Sequence, residues 1–387
     1  MTGETYDLVV IGAGPVGLAT AWEAGRRGYR VLVLEQFEMF TELGSSAGTE
    51  RQWRLQYSEQ DLARLTLTAL PLWRELEAQA NRRLLYQTGS LWFGETEAAT
   101  NEGEIRQAAS VLDRLGVGYE WLTAKEIEAR YPFTELPSHF EGFYQAEGGM
   151  IDVQATRWVL HGLAAAAGVK IRTGQRVYEV APDGTGVTVR TASDMMRAEH
   201  VVLAAGAFTP QLLEPLGVRM ELDMFELTFA SFRLRDPDSD LPTWFAFQQP
   251  TDSDVNLFYG FGRNPWSGSD LVRAGPSFED DHVTDPYQAR YTAHERHVAR
   301  AVQWIGRHLP ALDPRPRHAR SALAALPADP NRQFYFGRLP ESVPDGERLV
   351  VFSSGWGFKY VPVLGRACAD LALTGHTGFD LSRFAFS

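Results

Sequence analysis

Two short runs, Tyr6–Ile11 (YDLVVI) and Tyr29–Leu34 (YRVLVL), are apolar at most positions, the pattern of strands buried on both faces of a parallel sheet. Between them a glycine-rich turn, Gly12-Ala13-Gly14-Pro15-Val16-Gly17, opens a helical stretch (LATAWEAGRRG) that closes on glycine. The chain therefore begins strand, turn, helix, strand, with Glu35 at the carboxyl end of the second strand. Apolar residues at helical spacing predict a helix from about 59 to 77 and a second over 154–168 leading into a strand, VKIRT. Short strands mixed with helices are expected over 86–150, and Val187–Arg190 and His200–Ala204 read as sheet strands. From about 217 to 320 the pattern changes to aromatic-rich strands (LTFASFRL, WFAFQ, NLFYGF) and one helix, HERHVARAVQWIGRHL. The end, ERLVVFSSGWGFKYVPVLGRACADLALTG, returns to strand, glycine turn and helix.

This alternation predicts two interleaved units. A nucleotide-binding α/β unit is assembled from residues 1–85, 150–216 and 320–387, and an aromatic-rich sheet unit from 86–149 and 217–319. The length of 387 residues fits about two or three domains. A composition 44% hydrophobic and 22% charged excludes a disordered or fibrous chain. The net charge of −12 argues against nucleic acid or an anionic membrane as partner. The single cysteine, Cys368, excludes an internal disulfide and a thiolate metal cluster, and reads as a small buried core residue. The first residues run directly into a strand and no apolar run approaches a bilayer span, so a cytoplasmic chain without a leader is expected.

The Gly12/Gly14/Gly17 spacing carries weight because it follows a strand, opens a helix and is answered by an acid ending the next strand. The first glycine permits the tight turn, the second lets the backbone of Gly14, Pro15 and Val16 approach a pyrophosphate, and the third lets helix and strand pack closely. Amides at the helix start receive the negative charge. Glu35 is placed to accept from ribose hydroxyls. Two further features favour FAD over NAD. Val201–Gly206 (VVLAAG) ends in small residues, putting Ala205 and Gly206 beside the same dinucleotide, and the turn up to Gly355, Gly357 and Phe358 puts a helix start near a flavin ring.

With these motifs the chain resembles the monomeric sarcosine oxidase and N-methyltryptophan oxidase family, within the wider D-amino-acid oxidase-like flavoproteins. The resemblance runs over nearly the whole chain and is anchored by GAGPVG, Gly44–Arg51 (GSSAGTER), VVLAAGAF and Gly355-Trp356-Gly357-Phe358-Lys359. It implies an α/β fold, with an FAD-binding Rossmann-type, glutathione-reductase-like domain interleaved with a mixed or antiparallel-sheet substrate domain. It implies oxidation of a C–N bond next to a carboxylate, in a monomeric enzyme acting on a small amine or amino acid with O2 as acceptor. Matched residue by residue, Arg51 lies close to the flavin, Arg54 binds the substrate carboxylate with Lys359, Tyr259 is an active-site tyrosine and the backbone of Val177 contacts the adenine. Ser45 and Ser46 fall in a phosphate-facing turn. Independently of the family, a guanidinium grips a carboxylate bidentately and an ammonium adds a point charge. Lys359 also stands out because only three lysines, Lys125, Lys170 and Lys359, occur in the chain.

The chain departs from the family in four ways. The cysteine that tethers the flavin aligns with Ser321 or Ala322, so FAD is expected to be non-covalent. The lysine that promotes oxygen activation aligns with Arg273. Two histidines are replaced by Ala47 and Ser277, and a tyrosine by Leu323 or Ala324, which favours a bulkier, aromatic or cyclic amine over sarcosine. Two rival readings stand beside the oxidase: a dehydrogenase of the same fold that uses another acceptor, and a flavin-binding protein without catalysis. No metal site is expected. His294-Glu295-Arg296-His297 has the wrong spacing for a metalloprotease and reads as a solvated helix face, and Asp280-Asp281-His282 as a charged loop. Trp53, Trp244 and Trp266 read as packing residues, whereas the resemblance places Trp356, by its position in the motif, near flavin and substrate.

Overall fold

In the computed structural model, residues 4–250, 257–277, 282–329, 332–353 and 355–386 are described; the Asp280-Asp281 pair lies outside them. Strand Thr5–Ile11 pairs in parallel with Val31–Leu34 on one side and with Met195–Leu203 on the other. Lys170–Arg172 extends the parallel sheet beyond Val31–Leu34, and Leu349–Ser353 lies parallel to the end of Met195–Leu203. Three antiparallel strands, Val177–Pro182, Val187–Thr191 and Tyr335–Arg338, complete eight. Alternate residues of the central strands enter different cores: Leu8 and Val10 pack with the helices Pro15–Gly25, Gln60–Ala80, Val153–Ala166 and Val361–Thr374, while Val9 and Ile11 pack under Leu212 and Leu213. Burial on both faces is why these strands read as continuous apolar runs.

The second sheet also has eight strands, in the order 312–327, 222–234, 271–276, 257–260, 243–247, 90–94, 141–145 and 120–123. It is antiparallel except where Thr243–Phe247 runs beside Ser90–Gly94, so the mixed sheet expected from sequence is present. One face packs on the helix Glu295–His308 through Trp304, which stacks on Trp244 at 4.9 Å and Phe258 at 5.2 Å. A third, three-stranded sheet of Glu50–Trp53, Gly149–Asp152 and Leu85–Tyr86 carries the segment that bears Arg51. The strand Leu312–Pro327 pairs along its length with Leu222–Leu234, so the last segment of the first unit begins after Pro327 rather than at 320.

Two packing expectations need adjustment. His297 is 2% exposed, turned into the protein, so HERH is not a wholly solvated face. Trp53 and Trp244 are buried as expected, while Trp266 is half-buried and packs on Tyr86 at 5.1 Å. Cys368 is fully buried, and burial pushes its thiol up to about 12, which keeps it protonated and inert. Among the described residues no helix is long and apolar enough to cross a membrane, and no cluster of three potential metal ligands occurs.

Candidate active site

The glycine turn is built as its residues dictate. Gly12 has φ of +104°, and a Cβ there would drive into the Ala204 carbonyl. A Cβ at Gly17 would strike the Gly12 carbonyl oxygen, so this glycine serves close helix packing and lies off the cleft wall. A Cβ at Gly14 would meet nothing within 4 Å and would stand in open space. Gly14 caps the helix and Pro15 begins it, leaving the first-turn amides free to face an anion. The Glu35 carboxylate accepts from Ala13 N at 2.8 Å and from Phe37 N at 3.0 Å, which fixes it at the strand end with lone pairs to spare.

These residues line one long cleft. Gly12, Gly14, Pro15, Val16 and Glu35 form one wall. Ser45, Ser46, Val177, Ala205, Gly206, Gly355, Gly357 and Phe358 continue it. Arg157 supports the Ser45-Ser46 turn by donating to Thr41 O at 2.8 Å and to Ser46 O at 3.4 Å. The cleft holds no thiol and offers backbone amides, a ribose-ready carboxylate and an open glycine floor, so the residues present fit a bound dinucleotide.

A second, aromatic-walled cavity begins where the cleft ends, and the two share Ser45, Gly355 and Phe358. Arg51, Arg54, Tyr259, Arg273 and Lys359, predicted as one site, all line this second cavity, with Trp356 beside them. Gly355 N donates to Ala325 O at 2.6 Å, tying the glycine turn to the second sheet. Of the three lysines only Lys359 is buried. Its ammonium lies over the rings of Tyr57 at 5.4 Å and Tyr360 at 5.7 Å.

Two carboxylates that sequence reasoning missed govern the cations. Arg54 is ion-paired with Glu102, and both side chains are buried. Its guanidinium also sits over Tyr57 at 4.7 Å, Trp92 at 5.2 Å and Phe245 at 5.3 Å. Burial pulls the pKa of Arg54 down, yet the charge of Glu102, with Tyr57, outweighs it and leaves the value above normal. Arg273 donates to Glu50 O at 2.8 Å and pairs with the Glu50 carboxylate at 2.9 Å, wedged against Phe229 and Phe261. Arg51 donates to Glu50 O, Ser45 O and Ala47 O, and burial followed by repulsion from Arg273 pushes it down to about 10. Burial raises the pKa of Tyr259, which therefore stays a phenol at neutral pH. The Tyr57 phenol is held below its ordinary value because Lys359 and Arg54 outweigh burial.

At the tether position, Ala322 lines the cavity, whereas Ser321 turns away and donates to Glu226 at 2.7 Å. Ala47 packs with Phe229 and Ala322, and Ser277, Leu323 and Ala324 line the cavity, so all four departures lie around one space.

A parallel-sheet unit with a glycine-rich dinucleotide cleft opening onto a cation-lined cavity under a second sheet defines a flavoprotein oxidoreductase. The family model described as "FAD dependent oxidoreductase" matches residues 7–371, and the chain belongs to that family. It is 30% identical to human peroxisomal sarcosine oxidase over 396 residues, covering 99% of this chain and 96% of that protein. It is also 30% identical to a putative bifunctional amine oxidase of Dictyostelium discoideum, of which it spans 37%. The structure of NikD, described as an unusual amino acid oxidase essential for nikkomycin biosynthesis, superposes with a TM-score of 0.95 at 51% identity, covering 99% of this chain and 97% of NikD. The chain is thus a sarcosine oxidase-like FAD-dependent oxidoreductase acting on C–N bonds.

Proposed function

We propose that this protein oxidises the C–N bond of a secondary or cyclic amino acid to an imine, with non-covalent FAD and O2 as acceptor. The observation that carries the reading is the junction of cleft and cavity at Ser45, Gly355 and Phe358, with Lys359 and Arg54 on the cavity wall. FAD, when bound, supplies the two-electron acceptor. Gly12, Gly14 and Glu35 would hold its nucleotide end, and Arg51, Gly357 and Phe358 its ring end. Among the described residues no carboxylate pairs with Lys359, so its ammonium is available to a substrate carboxylate. Glu102, on the Arg54 side of the same cavity, offers an anion to the substrate ammonium. The aromatic walls Phe229, Phe245 and Phe261 exclude water and leave room for a ring in the space vacated by the replaced histidines and tyrosine. Ala322 facing the cavity without a thiol supports the non-covalent cofactor.

One observation favours a second reading, a dehydrogenase with another acceptor: the charge of Arg273 is already matched by Glu50. Anaerobic mixing with a panel of proline, pipecolate, sarcosine and N-methyltryptophan, followed by air, tests both. Bleaching of the flavin's visible absorption by a cyclic or bulky member and rapid return in air is expected. Bleaching with slow return selects the dehydrogenase, and no bleaching by any member overturns the amino-acid reading.

A further inference from the structure

Tyr287 belongs to the segment that supplies the second sheet, yet it lines the dinucleotide cleft of the first. Its hydroxyl donates to Gln36 Oε1 at 2.7 Å, across 251 positions of sequence. Its ring packs on Phe208 at 4.8 Å, which meets Phe37 edge-on at 5.6 Å, and the Arg176 guanidinium lies over it at 4.4 Å. Gln36 follows Glu35 and Arg176 precedes Val177, so the ring stands at the end of the cleft where those two residues would hold ribose and adenine. The loop is pre-set for this reach. Asp285 Oδ1 accepts from Tyr287 N at 3.0 Å, and the buried Pro286 fixes the turn's first φ. Tyr287 nevertheless remains 40% exposed, so it is held in place without being filled into a core.

We propose that Tyr287, with Arg176 and Gln36, forms a clasp that retains the adenosine end of the cofactor where a covalent tether is missing. The proposal rests on the non-covalent FAD reading. A phenol ring and a guanidinium plane both hold a purine by stacking. The other half of the retention problem is at Ala322, which offers no sulfur to the ring end, so more of the grip falls to the nucleotide end.

Titration of flavin-stripped protein with FAD and, separately, with FMN measures the clasp. Y287A is expected to raise the FAD Kd about tenfold, with the FMN Kd unchanged. Y287F, which keeps the ring and loses the bond to Gln36, is expected to raise it about threefold. Should Y287A be misfolded by circular dichroism, R176Q, at an exposed position, carries the test with an expected rise of about threefold. An FAD Kd for Y287A within twofold of wild type overturns the clasp, as does an equal loss of FMN affinity. Wild-type protein that binds no FAD, or whose flavin stays with an acid precipitate, ends the underlying reading instead and the clasp with it.

Discussion

Arg54 and Lys359 occupy one cavity wall under opposite conditions, the first neutralised by Glu102 and the second held among aromatic rings. Lys359→Met keeps the stem packed against Tyr57 and Tyr360 while removing the charge. A lost charged hydrogen bond of about 1.5–3 kcal/mol raises KM for an amino acid by roughly ten- to a hundredfold, and leaves binding of its carboxamide analogue unchanged. Steady-state kinetics on the pair of substrates checks this, and an equal effect on both would remove Lys359 from carboxylate binding. Glu102→Gln strands a buried guanidinium and should destabilise the fold by about 3 kcal/mol. The double variant R54M/E102Q should recover part of that loss, measured by urea unfolding, because two uncharged groups need no partner. Additive losses would show that the pair is not coupled. Arg51 and Lys359 were legible in the sequence because each ends a short motif, and Arg54 because it follows the first of these by three residues. Glu102 was not: its partner is 48 positions away, and a carboxylate in a loop leaves no local pattern.

At the scale of elements, the opening strands, the turn and the helix Pro15–Gly25 emerge where periodicity placed them, since their burial is set by neighbours close in sequence. The strand Leu312–Pro327 did not, because LDPRPRHAR mixes prolines with exposed arginines. It is an edge strand, paired on one side only within its sheet, and an edge tolerates prolines that a central strand would reject. The same strand fixes which of Ser321 and Ala322 faces the cavity, a choice that alignment left open. The glycine turn yields a contrast that separates folding from binding. Gly17→Ala pushes the helix off the strand and should cost the protein about 1–3 kcal/mol, seen in urea unfolding of flavin-free protein. Gly14→Ala, with open space at its Cβ, should leave flavin-free stability within about 0.5 kcal/mol while FAD binding weakens sharply. If both variants lose stability equally, the Gly14 floor is structural and not a cofactor seat.

For the whole molecule, the cavity lies where sheets built from alternating segments of the chain meet. Gly355 bonding to Ala325, Tyr287 bonding to Gln36 and Arg320 pairing with Glu42 each join the segments of one sheet to those of the other. A ligand lying in the cleft touches both sides of these joints, so it should stabilise the molecule as a unit and not one half alone. By mass action, FAD at about a hundredfold over its Kd adds about 2.7 kcal/mol. For a chain of this size that raises the unfolding midpoint by about 3 °C. FMN carries the ring and one phosphate but lacks the adenosine that Glu35, Val177 and the Tyr287 end of the cleft would hold. Differential scanning of flavin-stripped protein with each added flavin should therefore show one sharpened, upshifted transition with FAD and a smaller shift with FMN. Equal shifts would mean that the glycine cleft contributes nothing to retention. An FAD shift confined to one of two separate transitions would mean that the halves unfold independently despite sharing the site.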